Sequence, residues 1–480
     1  MNDYQAGYIK LALPKGRFLS PTASLLAEIG LGFEGYGDKT KQYRLRSARF
    51  PSLSAKILQE KDIPIQVAVG NYDLGICGLD WIEEFLVKYP AGALVKISSL
   101  NYGEGSIHVV ASAQAGITSL NELSARRNDY RIVSEYPNLS EAFALNLRMR
   151  RFRIFPVWGA VEAYPPENAD LAVLWGRSGA HIAAQGLIPL EKLLPVTAFL
   201  IANRESLENK DLSQILMCFD SKLSAEPQTP IENELNICKE LKIPRPSWPA
   251  KEVNLALPDG HQQAPAAQFL KQAGLALQGY SEEGVSRRPS ADLDWLGIKV
   301  IRPQDMPLQV ANSNFDLAIT GEDWLREHLY RFPSSPVKKL FALGFGTVKI
   351  VAAVSQEMPV NDIDELRTLV QSNKFAPLKV ASEYINIADK YLRDNHINPY
   401  KLIPTWGASE AFLPEDADML IDNVQTGKTL KQHQLKIIDV LFQSSACLIA
   451  SKDSLASPDK KEKMRFLTQK LRAGLKQIKN

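Results

Sequence analysis

Short apolar runs alternate along the chain with stretches in which apolar residues recur every three to four positions. Residues 8–13 read as a buried strand and 18–29 as an amphipathic helix; 107–111, 131–134 and 171–174 read as further strands. The same succession returns at 253–257, 348–354, 378–381 and 419–422. Strands that alternate with helices predict an α/β fold of βαβ units with largely parallel sheets. Ligands in such folds bind at the carboxyl ends of the strands.

The pattern recurs because residues recur. Leu11-Ala-Leu-Pro-Lys-Gly16 matches Leu255-Ala-Leu-Pro-Asp-Gly260, and Asp73-Leu-Gly-Ile-Cys-Gly-Leu-Asp-Trp81 matches Asp316-Leu-Ala-Ile-Thr-Gly-Glu-Asp-Trp324. Trp158-Gly-Ala-Val-Glu162 matches Trp406-Gly-Ala-Ser-Glu410, and Leu200-Ile-Ala-Asn matches Leu448-Ile-Ala-Ser. The offset drifts only from 243 to 248 over these ordered matches, so the chain is two colinear copies of one domain and not a short-period solenoid. Copy one runs over 1–225 and copy two over 251–480, with 226–250 as a linker in which prolines interrupt regular structure and a short helix is expected near 232–241.

Charge and cysteines remove whole classes of function. A net charge of +2 leaves no basic excess for nucleic acid. The four cysteines, Cys77, Cys218, Cys238 and Cys447, have neither zinc-site spacing nor a disulfide framework. No apolar run is long enough to span a bilayer, and the first residues carry no apolar leader. A soluble cytoplasmic protein is the expectation.

The most informative segment is Asp422-Asn-Val-Gln-Thr-Gly-Lys-Thr429. An acid ends a strand, Gly427 permits a tight turn, and a helix start presents N–H groups to an anion. Thr426 and Thr429 add hydroxyl donors, Lys428 adds charge, and Asp422 can accept sugar hydroxyls. Gly-Lys-Thr resembles a Walker A motif, but that motif requires glycine where Asp422 stands, so a P-loop NTPase is rejected. On these residues alone an ordinary turn with a threonine helix cap is as good a reading.

The longer frame decides between them. Leu-Pro-Lys-Gly-Arg at 13–17, Ser134-Glu-Tyr-Pro-Asn-Leu139, Arg302-Pro-Gln-Asp-Met-Pro307, Phe315 to Asp323, Glu410 to Thr429 and Phe442 to Ala450 resemble, in order, the blocks of ATP phosphoribosyltransferase. The resemblance covers most of both copies and is to the short form, without a C-terminal regulatory domain. It implies two α/β lobes per copy, as in type II periplasmic binding proteins, with a cleft between the lobes. It also implies transfer of phosphoribosyl from PRPP to N1 of ATP with release of pyrophosphate, the first step of histidine biosynthesis. Asp422, Thr426, Gly427, Lys428 and Thr429 would hold PRPP, and Asp422 and Glu410 are the catalytic candidates. Lys15, Gly16, Arg17, Arg44, Arg46, Arg287 and Arg288 are candidates for nucleotide or phosphate. Mg²⁺ would arrive with the substrate phosphates. Short-form enzymes are built on dimers, so the fused pair would mimic one, and a homo-oligomer or a separate regulatory subunit are the partners implied.

Neither copy keeps the whole pattern. Copy one reads Leu174-Trp-Gly-Arg-Ser-Gly-Ala-His181, with leucine for the sugar-binding acid, while copy two replaces Lys15-Gly-Arg17 by Asp259-Gly-His261. His181, on a decayed loop, reads as a solvated helix-start residue. Complementary losses are what one site shared between the copies would leave behind, and independent decay of the two copies would leave them as well. Without a shared site copy two works with Lys428 and Mg²⁺ alone. A non-catalytic nucleotide-sensing or regulatory member is the alternative, and a binding protein for another small anion is a third.

Overall fold

The computed structural model describes residues 8–37, 43–90, 92–117, 119–120, 123, 129–149, 151–223, 252–372, 377–407 and 409–478. The linker and its expected short helix lie outside them.

Copy one supplies β1 (Ile9–Lys15), β2 (Arg44–Arg46), β3 (Leu53–Gln59), β4 (Leu74–Gly78), β5 (Leu94–Ser99), β6 (Gly105–Ser112), β7 (Tyr130–Ser134), β8 (Phe152–Pro156), β9 (Leu171–Gly176), β10 (Leu187–Val196) and β11 (Ala198–Asn203). Copy two supplies β12 (Val253–Pro258), β13 (Leu277–Tyr280), β14 (Val285–Ala291), β15 (Leu296–Ile301), β16 (Leu317–Gly321), β17 (Val337–Ala342), β18 (Val348–Ser355), β19 (Leu378–Ser382), β20 (Tyr400–Pro404), β21 (Met419–Val424), β22 (Leu435–Ser444) and β23 (Ala446–Ser451).

Each copy folds into two lobes, each with one sheet. The first lobes run β3-β1-β4-β11-β5 in copy one and β15-β12-β16-β23-β17 in copy two. The second lobes run β10-β6-β9-β7-β8 and β22-β18-β21-β19-β20. These orders are identical once the copies are matched, as a duplication requires. Among the described residues the sheets differ at an edge: β2 extends the first sheet of copy one, whereas β13 and β14 form a separate hairpin.

The sheets are mixed, not largely parallel. β1 lies parallel to β3 and β4, but β11 runs antiparallel to β4 and β5, and β6 runs antiparallel to β9 and β10. β11 and β23 return from the second lobe to close the first sheet, and a strand entering from the other lobe need not follow the right-handed crossover that makes neighbours parallel. Apolar runs with no polar alternation mark strands covered on both faces, and helices cover these sheets. Leu11, Leu13, Leu74 and Leu200 are fully buried in one first-lobe core, and Leu255, Leu257, Leu317 and Leu448 in the other. At about 1.5–3 kcal/mol per buried aliphatic side chain, such strands anchor the lobes.

One helix in each copy ties the lobes together. Helix Leu79–Lys88 starts directly after β4, and its Trp81 packs 4.5 Å from Tyr136 of the second lobe. Helix Glu322–Arg331 starts directly after β16, and its Trp324 stacks 4.4 Å from Tyr384.

The boundary of the compact units is not the boundary of the copies. One unit holds Met1–Pro156, Ala169–Arg245 and Trp406–Ala411; the other holds Val157–Asn168, Pro246–Thr405 and Phe412–Asn480. Each unit therefore contains the Trp-Gly-Ala-x-Glu segment of the opposite copy. We name the units by the copy that dominates them, unit one and unit two.

Candidate active site

In both copies the first strand ends in a glycine turn, at Gly16 and Gly260, with φ of 92° and 67°. The side chains around the two turns differ in kind.

In unit one the arginine of the turn is tied to two carboxylates and flanked by two rings. Arg17 donates from Nε to Glu60 at 3.0 Å and from Nη2 to Asp80, and Tyr136 donates its hydroxyl to the same Asp80 oxygen at 2.8 Å. The guanidinium lies 4.6 Å from the ring of Phe18 and 5.0 Å from that of Trp175. Burial opposes the charge on Arg17, but Asp80 and Glu60 prevail and raise its pKa. Burial pushes Glu60 up to about 7 against the pull of Arg17. Lys15 donates to the Tyr43 hydroxyl at 3.3 Å. Glu410, from copy two, also belongs to unit one; burial raises its pKa and Lys15 opposes the rise. Arg44 is half-buried and Arg46 exposed on β2.

In unit two the corresponding turn borders a cavity of about 200 Å³ between the two lobes, lined among others by Asp259, His261, Arg302, Trp324, Tyr384 and Asn423. Asp259 stands where Lys15 stands in copy one. It accepts Nη1 of Arg287 at 2.8 Å and Nη1 of Arg302 at 3.3 Å. Two cations thus gather at a turn that has lost its own. Besides Lys428, copy two has Arg287 on β14, one of the phosphate candidates, and Arg302 just past β15 at this turn. Deeper in the cavity, Tyr384 donates to Asp323 at 2.7 Å, Ser444 donates to the other oxygen of Asp323 at 2.7 Å, and Asn423 donates to the Tyr384 oxygen at 3.1 Å. Burial, Asp323 and Asp422 raise the pKa of Tyr384, so it stays a neutral donor.

The loops after β9 and β21 separate the copies further. In copy one Ser178 is an extended N-cap whose hydroxyl accepts the N–H of His181 at 3.3 Å. His181 is exposed at the helix start, as expected. In copy two the cap of helix Lys428–Gln432 is Gly427, left-handed at φ 71°, and no side chain closes the helix start. The threonine-cap reading is therefore not what forms: Gly427 takes the conformation that a side chain resists, and Thr426, Lys428 and Thr429 stay exposed. Asp422 accepts the backbone N–H of Asn423 at 2.6 Å, next to the cavity.

The segment Val157–Asn168 completes unit two. The Trp158 N–H points at the Asp305 carboxylate at 3.1 and 3.2 Å, and its indole lies 5.8 Å from Trp324. Glu162 accepts Nε of Arg287 at 2.9 Å. Arg288 is bound to Glu167 at 2.7 Å and to the Pro165 carbonyl at 2.6 Å, and Lys299 holds Glu167 and Asn168 at 2.9 and 2.7 Å. Arg288 therefore seats this segment, while Arg287 reaches the cavity turn. In unit one the backbone of Trp406 likewise faces Asp62, whose pKa burial raises to about 8, and Lys61 lies 5.5 Å from the Trp406 ring. Sequence reasoning missed Arg302, Tyr384, Asn423 and Glu162. Arg302, Glu162 and Asn423 stand inside the conspicuous sequence segments, but nothing in those segments said that Glu162 serves the opposite copy's unit. Lys15 and Arg17 fall in unit one and the 422–429 loop in unit two.

The family model for ATP phosphoribosyltransferase matches residues 59–221 and again 302–473. The chain belongs to the ATP phosphoribosyltransferase family. It carries that family's domain twice. The ATP phosphoribosyltransferase of Saccharolobus solfataricus is 32% identical over 230 residues, which span 47% of this chain and 73% of the relative. That of Chlorobaculum parvum is 29% identical over 228 residues, 46% of this chain and 71% of the relative. Each relative thus matches about one copy's worth of sequence. Among the described residues no helix is long and apolar enough to cross a membrane.

Proposed function

We propose that the phosphoribosyl transfer of this family takes place in the cleft of unit two, with PRPP held by the loop from Asp422 to Thr429. The observation that carries the reading is the contrast between the copies at equivalent positions. Copy two has the acid near the end of β21, a glycine-led helix start with no side-chain cap, and a cavity that the neighbouring Asn423 lines. Copy one has Leu174, a serine-capped helix start, and a turn whose Arg17 is held by Glu60 and Asp80 with Trp175 5.0 Å away.

In the reaction N1 of ATP displaces pyrophosphate from C1 of PRPP. A neutral ring nitrogen attacks, so no strong general base is required, and alignment with charge stabilisation does the catalysis. Asp422 accepts the ribose hydroxyls, Thr426 and Thr429 donate to the 5′-phosphate together with the backbone after Gly427, and Lys428 adds charge. Arg287 and Arg302 stand at the turn where polyphosphate oxygens need cations. Mg²⁺ fits this site as an ion carried by the substrates' phosphates: Asp259 is engaged by two guanidiniums and Asp323 by two hydroxyls, so the oxygens on offer are those of the diphosphate. It would offset the leaving group's charge. We place the reaction in the cytoplasm, where ATP is supplied.

Purified protein given ATP, PRPP and Mg²⁺ should form phosphoribosyl-ATP, followed by its ultraviolet absorbance. An unchanged spectrum with intact, folded protein would sink the proposal.

A further inference from the structure

Copy one's own loop has lost its acid, yet its segment Val157–Asn168 is built into unit two through the bonds of Trp158, Glu162, Glu167 and Asn168. Within that segment Glu162 has one visible task. Its carboxylate holds Nε of Arg287 at 2.9 Å, Arg287 holds Asp259 at 2.8 Å, and Asp259 holds Arg302 at 3.3 Å. The chain alternates two carboxylates with two guanidiniums and ends at the cavity wall. Arg287 is anchored through Nε and Nη1, which fixes the plane of its guanidinium. Glu162 is about a quarter exposed and Arg287 about a third, so neither is sealed in the core.

The matching residue of copy two makes the comparison. Glu410 in unit one bears on Lys15, the cation of the turn itself. In unit two the turn residue is Asp259, so the same glutamate from the opposite copy acts through an inserted arginine. In unit two the contact is a direct ion pair, Glu162 to Arg287 at 2.9 Å; in unit one the field of Lys15 favours the charged form of Glu410.

We propose that Glu162 is a positioning residue of the copy-two site: supplied by copy one, it orients Arg287 so that the Arg287 and Arg302 guanidiniums take phosphate oxygens of a substrate at the Asp259 turn. This rests on the reading that unit two's cleft is the reaction site. It gives copy one a task in that cleft that does not depend on its own decayed loop.

The test uses the full chain. Affinities for ATP and for PRPP, each with Mg²⁺, are measured by calorimetry for wild type, Glu162→Ala and Glu162→Gln, alongside initial rates. Glu162→Ala should weaken at least one of the two affinities roughly tenfold, with the matching KM rising and kcat within about twofold, as expected for loss of a charge-assisted orienting bond. Glu162→Gln keeps an acceptor for Nε and should lose less. Placed on an Arg287→Ala background, Glu162→Ala should add almost nothing, because coupled residues are not additive. Affinities equal to wild type overturn the proposal, as does tighter binding in both variants, which would mean that removing a negative charge simply favours the anion. Full additivity with Arg287→Ala overturns it too. If wild type binds ATP and PRPP but makes no product, the reaction reading fails and the calorimetric comparison still decides the role of Glu162. If wild type binds neither, both fail.

Discussion

Asp422 and Leu174 occupy the same strand position, and Thr426 aligns with Ser178 in the loop that follows. Removing a charge-assisted hydrogen bond costs about 1.5–3 kcal/mol, or roughly ten- to a hundredfold. Asp422→Ala and Thr426→Ala should therefore each raise the KM for PRPP by that factor, while Leu174→Ala leaves it unchanged. Equal losses at Asp422 and Leu174 would contradict the assignment of PRPP to copy two. A second residue-scale prediction concerns pH. His328 is buried on helix Glu322–Arg331 with Nε2 2.7 Å from the Ser335 hydroxyl, and burial, helped by Arg331, lowers its pKa to about 4. The unfolded chain, with an ordinary histidine near 6.5, then binds more protons between about pH 6.5 and 4, so stability is full above 6.5 and is lost as pH falls through that window. At pH 5 the penalty is on the order of 2 kcal/mol. Urea midpoints at pH 7.5 and 5 should separate less in His328→Gln than in wild type. Glu60 and Glu84, both pushed up to about 7 by burial, act in the opposite sense but are common to both proteins. An identical pH shift in the variant would show that His328 is protonated without cost.

At the scale of elements, two helix starts that align in sequence are built differently, and this separates stability from binding. Ser178 closes its helix start with a hydroxyl, so Ser178→Ala should cost about 0.5–2 kcal/mol in the thermal or urea unfolding of unit one and nothing in PRPP affinity. Thr426 caps nothing, so Thr426→Ala should leave stability nearly unchanged while PRPP affinity falls. The reverse pattern would place the anion on the wrong loop. The strands themselves were legible because a run buried on both faces has no polar alternation: 107–111, 131–134, 171–174 and their counterparts all lie within observed strands. Their mutual direction was not legible. Burial is the same for parallel and antiparallel neighbours, so β11 and β23 gave no sign that they return antiparallel to β4 and β16. Nor did Gly427 announce that it, and not Thr426, would cap its helix, since both residue types are acceptable there.

For the whole molecule, the repeat made the duplicated architecture readable without any structure, because four ordered matches at a nearly fixed offset determine which strand corresponds to which. What it concealed is that Trp158-Gly-Ala-Val-Glu162 and Trp406-Gly-Ala-Ser-Glu410 each belong to the unit dominated by the other copy. Hydrophobic periodicity reports that a tryptophan is buried, not against which half of the chain. The exchange has a mechanical consequence. Residues 251–480 expressed alone would lack Val157–Asn168 and leave Arg287, Arg288 and Lys299 without the Glu162, Glu167 and Asn168 groups that engage them. Breaking a partnered charge cluster by removing one side costs about 3–5 kcal/mol where it is buried, and less here because these side chains are partly exposed. Such a fragment should be markedly less stable than unit two in the intact chain, or should pair with a second copy of itself that offers its own Trp406 segment. Cutting the intact chain within 226–250, at an engineered protease site, is a different operation: both exchanged segments remain in place. The two halves should then elute together in size-exclusion chromatography and retain the activity of the uncut protein. Halves that separate on cleavage, with each keeping its thermal midpoint, would show that the exchanged segments contribute nothing to holding the units.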